Sequence, residues 1–196
     1  MAPVRAPEPV LAVASIFSAF PVALEEARSA LLERLGPALR ELGPFPFTET
    51  AYYAGTMGTP LHRRLLAFDR PTEMDALPAL KRWTNDLETS FAGRPEFPVA
   101  RPVNIDPGYL GPGKLVLAST KDHSHRIYLG QGISGEVTLW FRDGRFETWP
   151  WTYPDYASAR FRAFFADARA ALMERLRGRP APPSTTPPPP GPGRTP

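Results

Sequence analysis

The chain has 196 residues, of which 42% are hydrophobic and 11% aromatic, with 26 prolines and no cysteine. Lys+Arg number 23 against 20 Asp+Glu, a net charge of +3. This apolar content supports one sizeable core and excludes a wholly disordered chain. The lack of cysteine excludes a disulfide framework, a thiolate zinc site, an iron–sulfur cluster and a cysteine nucleophile.

Residues 1–9 contain three prolines and read as a disordered N-terminus. VLAVASIFSAF, Val10 to Phe20, superficially resembles a signal peptide. Only one positive charge, Arg5, precedes it, Ser15 and Ser18 interrupt it, and no A-x-A site closes it, so Val10–Phe17 reads as a buried first strand. No stretch reaches the ~18–20 apolar residues of a membrane span. A cytoplasmic protein is the expectation. Pro21 and the acidic pair Glu25–Glu26 suit a helix start. Leu24, Leu31, Leu35, Leu39 and Leu42 repeat at helical spacing. They predict a helix broken or kinked at Gly36–Pro37 and ended at Gly43–Pro44. Phe47–Ala54 and Leu65–Asp69 read as strands. Pro71–Thr72 opens the next helical region, with Asp75 as a cap and Pro78 in the first turn. Leu77, Leu80, Leu87 and Phe91 form its apolar stripe, and Gly93 closes it.

Turn signals then crowd the chain at Gly111–Gly113, Lys121–Ser124, Gly130–Gly132 and Asp143–Gly144. The stretches between them, Val103–Leu110, Lys114–Thr120, His125–Gly130, Glu136–Arg142 and Arg145–Trp149, read as an antiparallel meander. Alternation predicts Val137, Leu139 and Phe141 on the core face and Glu136, Thr138, Trp140 and Arg142 on the other. A last helix is predicted over Tyr156–Arg177, with Asp155 as its N-cap. Residues 179–196, RPAPPSTTPPPPGPGRTP, read as a Pro-rich disordered tail. The expectation is therefore one α+β domain over residues 10–178. It has a ferredoxin-like βαββαβ start extended by an antiparallel meander, helices packed on one face, and a C-terminal helix.

Six segments carry a family resemblance: AYYAGTMG (51–58), LKRWTNDLE (80–88), VNIDPGYL (103–110), LVLASTKDHSHRIYLG (115–130), GISGEVTL (132–139) and WTYPDY (151–156). On these the chain resembles the bacterial family called domain of unknown function 4416, over about residues 9–176. The run from Asn104 to Tyr156 is the most specific part. The family tends to carry YYxxEMG, and here Thr56 stands where its Glu would be. The resemblance brings no established function with it.

The densest polar cluster is Lys121-Asp122-His123-Ser124-His125-Arg126, at a predicted turn. A point charge, a planar guanidinium fork and imidazole donors are what an anion site needs. A solvated hairpin turn is the bland alternative. His123 and His125 are too few for a metal site, and spacing identifies no third ligand among Asp106, Glu136 and Asp155, so no metal is assigned. Asp106, in Asp-Pro-Gly, is either a general base or an ordinary turn residue. Lys81, Thr84, Asn85 and Glu88 share one side of a helix, where Lys81, Asn85 and Glu88 could hold a ligand or form a solvated face. Tyr153 and Tyr156, with Asp155 between them, either line a pocket or serve aromatic packing with Asp155 as a cap. Glu136 needs a partner if buried, and Arg126 is within reach across the hairpin.

No G-x-x-x-x-G-K-[ST], G-x-S-x-G or H-E-x-x-H motif is present, and the G-x-G-x-x-G run at Gly130–Gly135 falls at a predicted turn of the meander, not between a strand and a helix. The leading expectation is binding of an anionic small molecule, a phosphate or nucleotide. Lys121, His123, His125 and Arg126 would hold it, with His125, Asp106 and Glu136 as catalytic candidates. Two alternatives stand beside it. One is a non-enzymatic interaction module with a structural polar network. The other is RNA binding on a sheet face through Trp140, Tyr128 and Arg126; the broken basic stripe of the last helix disfavours nucleic acid. The sequence specifies no cofactor and no oligomeric state.

Overall fold

The computed structural model describes residues 6–48 and 52–178. The predicted tail, residues 1–5 of the predicted N-terminal segment and residues 49–51 lie outside the described residues. Eight strands and four helices follow in the order β1 (Val10–Ser18), α1 (Pro21–Leu35), β2 (Ala38–Pro46), α2 (Ala54–Met57), β3 (His62–Thr72), α3 (Leu77–Phe91), β4 (Val103–Leu110), β5 (Lys114–Ser119), β6 (Ile127–Gly130), β7 (Ile133–Arg142), β8 (Arg145–Thr148) and α4 (Ala159–Arg177). The strands form one antiparallel sheet in the order β2-β3-β1-β4-β5-β7-β6, with β8 also paired to β7. No described helix is long and apolar enough to cross a membrane.

β1 is buried along its whole length, and its two faces serve different layers. Ala12, Ala14 and Ile16 pack with Ala23, Leu24, Ala27 and Leu31 of α1 and Phe91 of α3. Leu11 and Val13 pack with Phe161, Phe165, Ala168 and Leu172 of α4. The prediction of helices on one face therefore describes α1 and α3, whereas the C-terminal helix covers the opposite face. A strand apolar on both sides needs a layer on each.

Several local expectations are corrected. α1 ends at Leu35, because Gly36 takes φ 90° as its C-cap and Pro37 follows. Leu39 and Leu42 then belong to β2, half-buried against the α4-side core. Their spacing of three fits a helix stripe, but tertiary packing against β3 decides the outcome. The predicted strand 47–54 is not one in its described part: Tyr53 is a turn residue and Ala54 begins α2. β3 runs on through Pro71–Thr72, so the helix region starts later, with Ala76 rather than Asp75 at the N-cap of α3. α4 starts at Ala159, and Ser158 caps it by accepting the Phe161 N–H (3.3 Å). A bulge in the β5–β7 pairing, where Val116 faces Val137 but Leu115 faces Leu139, breaks the predicted alternation. Val137 packs with Val116 and Ile133, while Leu139 belongs to the α4-side core.

One irregularity makes room for a site. β4 pairs with β5 only through Gly108–Leu110. Gly108 permits that close approach, since a Cβ there would lie 2.3 Å from the Val116 carbonyl oxygen. Below it Pro107 has no N–H to offer, and Val103–Pro107 has no β5 partner. Side chains of α3 stand in for the missing strand. Glu88 Oε1 accepts the Ile105 N–H (2.8 Å), and Lys81 Nζ donates to the Ile105 carbonyl (2.9 Å).

Candidate functional site

A cleft of about 650 Å³ opens where β4 and β5 part. Lys81, Asn85, Asp106, Lys121, Arg126, Glu136, Tyr153 and Asp155 line it, contributed by α3, β4, β7 and the loops after β5 and β8. Of the other predicted residues, Glu88 lies behind Arg101, while His123 and His125 stand outside the lining.

The β7 side of the cleft is closed upon itself. Glu136 is 2% exposed. Its Oε2 accepts from Arg126 Nε (3.0 Å) and from His125 Nε2 (3.0 Å), and Thr138 Oγ1 donates to its Oε1 (3.2 Å). Arg126 Nη1 donates to Ser119 Oγ (2.8 Å) and to the Lys121 carbonyl (2.9 Å), and its Nη2 to Tyr153 Oη (3.1 Å). Its side chain is 4% exposed, so every nitrogen of the fork is engaged within the protein. His125 stacks on Trp151 (5.3 Å, 14°), which stacks on Trp149 (5.2 Å, 5°), which stacks on Trp140 (5.3 Å, 28°). His123 extends the row from His125 (5.9 Å). The histidines thus end an aromatic ladder rather than face the cleft.

At the mouth of α4 a second closed pair forms. Arg63, 4% exposed, is ion-paired with Asp155 and donates Nε to Ser15 Oγ (2.8 Å). Its guanidinium lies over Phe47 (4.4 Å) and near Phe17, Tyr156 and Phe161. Asp155, predicted as a helix cap, instead accepts the Tyr156 N–H (2.8 Å) and balances Arg63. Burial pushes the Tyr156 hydroxyl well above the usual range, an effect Arg63 partly offsets.

The β4–α3 side differs. Arg101 donates to Glu88 Oε2 (2.7 Å) and to Asn104 Oδ1, and Asn104 Nδ2 donates to Asp106 Oδ2 (2.7 Å). Lys81 Nζ stands 3.7 Å from Asp106 Oδ1. The Asp106 side chain remains 33% exposed and Arg101's 40%. Burial raises the Glu88 carboxyl above its usual range, against the pull of Lys81 and Arg101. Tyr53 is also raised, by burial and then by Asp106. Lys121 Nζ sits 5.8 Å from the Tyr52 ring centroid.

The family model described as "Domain of unknown function (DUF4416)" matches residues 8–171. The chain belongs to this family. No curated protein and no solved structure matches it. In this DUF4416 chain Thr56 falls on α2, where its Oγ1 bonds the Tyr53 carbonyl (3.3 Å), and it does not line the cleft. Among the described residues no group of three or more His, Asp or Glu could hold a metal.

Sequence reasoning passed over Arg63, Arg101, Asn104 and Tyr53, whereas Tyr156, read as a pocket residue, does line the cleft. Arg63 did carry a signal: a charge in a strand that alternates buried positions demands a partner. Arg101 carried none, because it follows a coil and meets Glu88 only through the tertiary fold.

Proposed function

We propose that the cleft binds an anionic small molecule on its β4–α3 side. The observation that supports this reading is the distribution of engaged charge. Five basic side chains line the cleft, Arg63, Lys81, Arg101, Lys121 and Arg126, against three carboxylates, Asp106, Glu136 and Asp155. Asp155 and Glu136 are matched to Arg63 and Arg126 inside the protein. Lys121 is exposed, and Arg101, though bonded to Glu88 and Asn104, keeps 40% of its side chain open, so these two can meet a ligand's charge in a site partly shielded from water where such bonds are strong, while buried Lys81 adds its field from beside Asp106. Asp106, oriented by Asn104 and Lys81 with part of its surface open, accepts a ligand hydroxyl or amine, or takes its proton if chemistry follows. His125, Glu136 and Arg126 act as positioning residues that hold Tyr153 and the β5–β6 turn.

The test is a thermal-shift titration of the full chain with inorganic phosphate and phosphate monoesters. A ligand at ~100 times its dissociation constant adds ~2.7 kcal/mol of stability. A shift that Arg101→Ala and Lys121→Ala reduce supports the reading. No shift with any anion overturns it.

A further inference from the structure

The cleft carries aromatic surface that a simple anion would leave unused. Tyr52 is 74% and Tyr153 46% exposed, and both line the cleft beside half-buried Tyr53. The Tyr153 ring is held in place. Tyr153 Oη accepts from Arg126, whose own fork is anchored by Glu136 and Ser119. Tyr52 meets Tyr53 edge-on (5.0 Å, 88°). Lys121 Nζ lies near the Tyr52 ring, so ring surface and positive charge adjoin. An anchored aromatic face loses little freedom when a flat group covers it, and the exposed Lys121 stands ready for that group's charge. The cleft volume of about 650 Å³ falls mid-range for sites that enclose a whole small molecule.

From this, and resting on the anion-binding reading above, we infer that the ligand is a ring-bearing anion: a planar aromatic or heteroaromatic group carrying a phosphate or carboxylate. Its ring lies on Tyr52 and Tyr153, its anion meets Lys121 and Arg101, and a donor on it reaches Asp106.

Matched pairs of probes test this by calorimetry on the full chain. Phenyl phosphate is compared with methyl phosphate, and benzoate with acetate. Stacking on an aromatic side chain is worth about tenfold or more in affinity, so the ring-bearing member of at least one pair should bind at least tenfold tighter. The winning pair names the anion. In the Tyr52→Leu/Tyr153→Leu double variant that preference should collapse, with the ringless probe binding as before. Equal affinities within both pairs, or a preference that survives the double variant, overturn the ring inference while the anion reading stands. No binding by any of the four overturns both. Circular dichroism and the melting temperature of the variant establish that it is folded.

Discussion

Glu136 and Asp106 are both carboxylates on strands of one sheet, lining one cleft, each beside a cation. Glu136 meets Arg126 and His125 at one oxygen and Thr138 at the other, and is sealed from water. Asp106 receives Asn104 and the neighbourhood of Lys81, and keeps a third of its side chain open. The difference comes from the sheet. β7 is paired with Leu117 of β5 at Glu136, its pairing with β6 reaches the adjacent Gly135, and Arg126 and His125 of the preceding turn close over the carboxylate. β4 lacks a β5 partner at Asp106, so the space a strand would fill is left to side chains. Residue type alone therefore does not separate a structural charge from a working one; saturation of its partners does.

The comparison breaks most visibly on the closed side. Asp155→Ala leaves the Arg63 charge buried without its carboxylate, and should cost about 3–5 kcal/mol in urea denaturation. The apolar double replacement Arg63→Met/Asp155→Leu should restore much of that loss. A single-variant loss below ~1 kcal/mol would show that water, not Asp155, balances Arg63.

Next in size is Glu136→Gln. It keeps the shape but removes the charge between Arg126 and His125, and should cost about 1–3 kcal/mol. Tyr153 should become looser, seen as raised side-chain mobility by NMR. An unchanged denaturation midpoint would mean the ladder of rings alone holds this side together.

On the open side the expected pattern inverts. Arg101→Ala should change stability by ~1 kcal/mol or less, since its side chain is partly exposed. It should weaken phosphate-monoester binding about tenfold or more, the value of a charged hydrogen bond. A large stability loss with unchanged binding would move Arg101 to the structural class.

The smallest effect concerns pH. Burial raises the Glu88 carboxyl above its ordinary value of 4.5. Just above that pH the folded chain holds more protons than the unfolded one, so this group's contribution to stability falls as pH rises through the window. Glu88→Gln should remove that slope from stability measured upward from pH 4.5. An unchanged slope would show that Arg101 and the Ile105 N–H outweigh burial.

Much of the architecture was legible in the residues. The buried run at Val10, the turns at Asp143–Gly144 and Gly111–Gly113, and the Phe161–Leu172 stripe mark their elements by period and turn chemistry. β2 was not, because Leu39 and Leu42 fit a helix stripe, and only pairing with β3 makes them a strand. The Arg126–Glu136 contact could be anticipated from the hairpin. The placement of His125 outside the cleft could not, since it depends on Trp151 packing from a distant loop. Arg101 and the β4–β5 gap arise from tertiary pairing and leave no local trace.

The central claim is that a ligand's charge is met at the β4–α3 side and not by the histidine-bearing turn. Calorimetry with phenyl phosphate on the unmodified chain, Arg101→Ala and His125→Ala tests it most directly. The account predicts at least a tenfold loss of affinity in Arg101→Ala and a change below about threefold in His125→Ala. The reverse order, with His125→Ala abolishing binding and Arg101→Ala leaving it intact, would contradict it.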